Sequence, residues 1–229
     1  MPPRPRPHGK PHSKRTPSTQ GGDRRAVVML GIGGVAVLAI AAVALAFTLG
    51  GGGRTGDARA ALEAAGCTLT VKPAVPNVSD HTDFPNPDAR SPKWNTDPPT
   101  SGPHYGQTVI YGAYSQPPQV GRLLHNLEHG AAYILYGDGV SATTVQQLRV
   151  FYEEHARGTI LAPYPRLGKQ VALGAWLDPG LDEAESNRGS GVLAKCRAFD
   201  EKAFDEFLTA YQFKGPERFP SDSLLPGRS

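Results

Sequence analysis

The chain has 229 residues, with 24 Lys+Arg against 21 Asp+Glu for a formal net charge of +3, and 39% of it is hydrophobic. That composition excludes a wholly disordered chain, and 2 cysteines exclude a disulfide-dense mini-protein. No period of roughly 20–50 residues recurs, which excludes a solenoid or propeller.

The first 25 residues carry Arg4, Arg6, Lys10, Lys14, Arg15, Arg24 and Arg25 against Asp23 alone, so the rest of the chain is net negative. A basic tail of this kind touches nucleic acid or anionic lipid. The adjoining segment favours a membrane and no nucleic acid, because Ala26–Gly53 contains no charge. Its apolar part, residues 26–49, makes about 36 Å of helix, enough to cross a ~30 Å hydrocarbon core with some tilt. The basic flank places the N-terminus in the cytoplasm and the bulk outside. Ala44-Leu45-Ala46 has the form of a signal-cleavage site. The apolar run, however, exceeds the roughly 7–15 residues of a secretory core, which favours an uncleaved anchor. The expectation is a single-pass protein of the cell membrane whose first partner is the lipid bilayer.

Residues 50–66 read as a glycine hinge and a short helix, Ala58–Ala65, capped by Asp57. An exterior domain spans 67–217, and 218–229 read as a loose tail. Eight prolines between Pro73 and Pro103 exclude a long helix or a central strand there. Val109–Tyr114, Ala131–Tyr136 and Gln170–Leu177 read as strands, and Asp178–Gly191 as a loop. Ser141 caps a helix running to about His155, with Val145, Leu148, Phe151 and Tyr152 on one face. Asp200 caps a last helix to about Tyr211, with Phe199 and Phe204 at staple positions. These elements suggest a compact α+β domain with a small, mostly antiparallel sheet and flanking helices.

Cys67 and Cys196 stand near the two ends of this domain. Outside the membrane they most simply form one disulfide, the alternative being two buried thiols.

The chemistry concentrates in Arg122–Gly130. Wound as a helix, His125, Glu128 and His129 share a sector of about 100°, and Leu123, Leu124 and Leu127 fall opposite. A strand would mix the two sets. Histidines four apart on a helix converge on one ion, and neutral imidazole suits zinc or copper. A third ligand is needed. His104, held by Gly102 and Pro103, is the first candidate and His81 the next. Glu128 can ligate, orient a histidine or act as a base. The spelling His125-x-x-Glu128-His129 also matches an inverted zinc-peptidase motif, in which Glu128 activates water and Glu201 or Glu206 completes the site. A third reading gives the histidines a structural role in a protein-interaction module of the cell envelope, with no metal.

Pro98-Pro99-Thr100-Ser101-Gly102-Pro103-His104-Tyr105, His125-Asn126-Leu127-Glu128-His129-Gly130, Ala175-Trp176, Cys196 and Lys214-Gly215-Pro216-Glu217 together resemble domain-of-unknown-function family 3105. The resemblance runs from about Cys67 to Glu217. It implies a bacterial, often actinobacterial, protein with one N-terminal membrane helix. It implies no activity and assigns no residue a role.

Overall fold

The computed structural model describes residues 53–75, 94–178, 189–217 and 219–229. The expected membrane span, residues 26–49, the basic tail, His81 and most of the 178–191 loop lie outside them. Among the described residues no helix is long and apolar enough to cross a membrane.

The domain is α+β. In chain order it comprises α1 (Arg54–Ala64), β1 (Thr68–Pro73), α2 (Val120–Glu128), β2 (Ala132–Tyr136), α3 (Ala142–Glu154), β3 (Thr159–Pro163), β4 (Val171–Leu177), β5 (Ser190–Cys196) and α4 (Glu201–Tyr211). The sheet runs β1-β5-β4-β2-β3. It is small and mixed: three of its four strand pairs are antiparallel, in line with the mostly antiparallel sheet expected, and β2 and β3 pair in parallel. A parallel pair needs a crossover, and α3 supplies it. The β1–β5, β5–β4 and β4–β2 pairs are antiparallel.

Alternation along β2 sets the two faces. Ala132, Ile134 and Tyr136 join the core beneath α1, α3 and α4. Tyr133 and Leu135 join a second core that contains Leu123, Leu124 and Leu127 of α2. Both faces of the central strands are therefore covered, and β2 and β4 are buried throughout. The loop carrying Asn95 to His104 lies directly on the α2 face. A β-carbon at Gly191 of β5 would overlap the Thr100 hydroxyl and the Asn95 amide. Asn95 Oδ1 accepts from the Ser101 N–H at 2.9 Å and the Thr100 N–H at 3.3 Å, which folds the loop on itself.

The caps follow local chemistry. Ser141 Oγ accepts from the Thr144 N–H at 3.1 Å, and Asp200 Oδ1 from the Ala203 N–H at 2.9 Å. The Phe199 and Phe204 rings meet edge to face at 5.1 Å. α1 begins earlier than expected, at Arg54, so Asp57 lies in its first turn rather than at its cap. There the carboxylate still faces the positive end of the helix dipole.

Two expectations are corrected. Residues 109–114 form no strand of the sheet, only an isolated bridge between Ala113 and Leu161. The Leu161 N–H donates to the Gly112 carbonyl (3.1 Å) and the Tyr114 N–H to the Leu161 carbonyl (2.7 Å), so this segment covers the β3 edge. The terminal residues are not loose. The Gly158 N–H donates to the Leu224 carbonyl (2.7 Å), the Tyr111 N–H to the Arg228 carbonyl (2.8 Å) and the Gly227 N–H to the Tyr111 carbonyl (2.9 Å). Leu224 is 1% exposed, packed in the α2-side core. At the far edge, Cys67 and Cys196 form a disulfide at the end of the β1–β5 ladder.

Candidate metal centre

α2 forms where the sequence segregates polar from apolar residues. Its leucines enter the core, but its polar sector is covered too. His125 is 7% exposed, Glu128 3% and Asn126 fully buried. Among the described residues, two segments lie against its histidine and glutamate side chains, besides the 109 segment that meets Asn126. One is the loop bearing His104, and the other is the arm after α4.

Asn126 holds the helix to the 109 segment. Its Oδ1 accepts from the Val109 N–H and its Nδ2 donates to the Val109 carbonyl, both at 2.9 Å. The Tyr105 N–H donates to the Gly121 carbonyl at 3.2 Å, and Trp94 Nε1 donates to the Pro103 carbonyl at 3.0 Å. These bonds aim His104 at the end of α2. The His104 Nδ1 donates to the Gly102 carbonyl at 2.8 Å, since a carbonyl only accepts. Its Nε2 lies 2.9 Å from Glu128 Oε2. With Nδ1 already protonated, that second contact requires a further proton shared by the pair, or a cation in its place.

The other side of α2 meets the arm. His129 caps the helix and Gly130 comes next with φ +96°, a conformation that favours glycine. The Phe213 N–H donates to the Gly130 carbonyl (2.7 Å) and the Glu217 N–H to the Glu128 carbonyl (3.0 Å). Gly215 lies between, where a β-carbon would overlap the Glu128 carbonyl oxygen and the Gly130 amide. The two backbones touch because both positions are glycine. Glu217 Oε2 consequently reaches His129 Nε2 at 3.3 Å. Gly215→Ala is expected to destabilise by about 1–3 kcal/mol through this overlap, read in urea unfolding. An unchanged midpoint would show that the arm does not need this close approach.

Two overlapping ligand clusters result. His104, His125 and Glu128 form one, wholly buried. His125, His129 and Glu217 form the other, with His125 common to both. In each, one ligand atom per residue lies within 4.8 Å of the others. The His125 and His129 rings are 4.4 Å apart, and those of His104 and His125 5.3 Å. Two ligands bound tetrahedrally at ~2.0–2.2 Å from zinc stand about 3.3 Å apart. The His129–Glu217 contact at 3.3 Å has that spacing, and the His104–Glu128 contact at 2.9 Å is shorter, a hydrogen-bond distance. Burial lowers the His129 pKa, against smaller upward effects of Glu217 and Glu128. A lowered pKa keeps the ring neutral to lower pH, and the neutral ring is the ligand form.

Glu217 is the member that sequence reasoning missed, although it closes the Lys214-Gly215-Pro216-Glu217 motif. Glu201 and Glu206 join neither cluster. Glu201 instead lines a cleft with Gln146, Val150 and Phe151. His155 binds the Phe151 carbonyl and Asp205, as a helix-end residue does. Trp176 belongs to the sheet face, its ring 5.8 Å from His104.

Residues 88–223, more than half of the chain, match the family described as Protein of unknown function (DUF3105). The chain belongs to the DUF3105 family. All five residues of the two clusters fall inside the matched segment, as does Cys196. Cys67 does not, so the DUF3105 match begins later than the resemblance suggested. No curated protein and no solved structure matches the chain.

Proposed function

We propose that this DUF3105 protein is a zinc-binding domain carried outside a membrane by its N-terminal apolar segment. The observation that supports it is the convergence of His104, His125 and Glu128 in one buried cluster. Burying three ionisable side chains together is costly unless they are paired or bind a cation. A single divalent ion satisfies all three.

Ligand chemistry narrows the metal. Copper(I) favours thiolate and thioether. Both cysteines are in the disulfide, and the 2 methionines are Met1 and Met29, in the tail and the apolar segment. Two imidazoles and a carboxylate suit zinc. The hydrolase reading gains no support, because Glu128 is 3% exposed and engaged with His104 rather than facing open solvent. The exterior placement is supported by the disulfide, which persists in oxidising compartments. The anchor itself rests on the length and flanking charge of residues 26–49.

The test is metal analysis by mass spectrometry of the full chain, purified without a His-tag and incubated with zinc or copper. The expected result is about one zinc per chain. A parent protein that retains neither metal would overturn the reading and leave a structural role in the envelope for the histidines.

A further inference from the structure

The buried cluster raises the question of how an ion reaches it. His104 and Glu128 are 1% and 3% exposed, so neither offers a route from water. A usable metal site needs an entry path. Among the five cluster residues exposure rises through His125 at 7% to the side chains of His129 at 13% and Glu217 at 42%.

We propose that His125, His129 and Glu217 form an entry station through which a divalent metal ion exchanges with the buried His104–His125–Glu128 set. The inference rests on the zinc reading above. Glu217 is the most exposed ligand and the only one of the five whose carboxylate faces solvent substantially. A negative charge at the mouth of a site raises the local cation concentration and the capture rate. Phe219 stacks on the His129 ring at 3.9 Å and covers one of its faces, so Glu217 is the more open ligand and the point of first contact. The ion then meets His129 and His125. His125 belongs to both clusters, so its ring is the common ligand while His129 and Glu217 are exchanged for His104 and Glu128. Both sets contain two imidazoles and one carboxylate, so the exchange replaces like with like. The buried set is favoured at equilibrium because fewer waters compete there and its electrostatic interactions are stronger.

The relay predicts an effect on rates. Zinc uptake and release are measured on the full chain by stopped flow, with a chromophoric chelator as competitor. Glu217→Gln and His129→Ala are each expected to slow uptake and release together by about tenfold or more. The affinity, as the ratio of those rates, then moves far less than either. Glu153→Gln, which removes the same charge from an exposed site on α3, serves as the charge control and is expected to leave both rates unchanged. Unaltered rates in Glu217→Gln would overturn the relay. So would an affinity loss in Glu217→Gln as large as that in His104→Ala, since Glu217 would then be a resident ligand. Two zinc ions per parent chain would overturn it as well, because both clusters would be filled together. Failure of the underlying zinc reading has a separate signature, a parent chain that takes up no zinc at all, and the relay falls with it.

Discussion

Replacing His125 is expected to weaken zinc binding by about 100-fold or more, whereas replacing any other single ligand weakens or slows it less. His125 alone belongs to both clusters. Without it the remaining four residues separate into His104–Glu128 and His129–Glu217, two pairs with two ligands each. Structural zinc sites bind with ~10–16 kcal/mol over four ligands, so one ligand is worth roughly 3 kcal/mol. That corresponds to a loss of about 100-fold or more in affinity. Competition with a chromophoric chelator reads it directly. His125 is packed at 7% exposure, so alanine also leaves a void. His125→Gln fills more of that space with a poor zinc ligand and separates lost binding from lost folding. If both variants fold and bind zinc as tightly as the parent, His125 is not a ligand.

Loss of the Cys67–Cys196 bond is the second large effect. The bond closes a sequence separation of 129 residues. In the chain-entropy model that is worth about 4–5 kcal/mol. A domain's whole stability is commonly ~5–15 kcal/mol, so reduction should bring unfolding close to ambient conditions. The stabilised elements are identifiable. Among the described residues β1 pairs only with β5, and α1 packs chiefly on α4 and β1. Urea unfolding with and without reductant, beside a Cys67→Ser/Cys196→Ser double variant, measures the change. Superimposed curves would show that the sheet holds its edge without the bond.

Much of the domain is legible in the sequence because its signals are local. Ser141 and Asp200 announce their helices through capping side chains, and the apolar run before Gly137 announces β2. The polar and apolar halves of α2 separate only on a helical wheel, which is why His125, Glu128 and His129 group together. His104 is legible through the rigid Gly-Pro turn that precedes it. The missed pieces depend on distant partners. β1, β3 and β5 are among these, and their identity as strands comes from the ladder they complete. Residues 109–114 alternate like a strand, with Ile110 exposed at 54% between buried Val109 and Tyr111. Their hydrogen bonds go instead to Asn126, to the Leu161 backbone and to the C-terminal residues. Glu217 lies far along the chain from His129. The close approach of Gly130 and Gly215, with the bond from the Glu217 N–H to the Glu128 carbonyl, brings it to the site, and no local periodicity encodes those contacts.

The two edges of the sheet are protected by different means. Residues 112–114 lie along β3, whereas no strand among the described residues covers the outer side of β1. An open edge is a template on which other chains can add, and short length, lysine and proline are the usual deterrents. β1 has all three, with six residues ending in Lys72 and Pro73. The disulfide adds a fourth by tying the start of the strand to the end of β5, so that it cannot peel away and expose β5 in turn. Before oxidation that restraint is missing. The newly made chain is then most prone to self-association in the interval between synthesis and thiol oxidation, and the yield of soluble protein depends on how short that interval is.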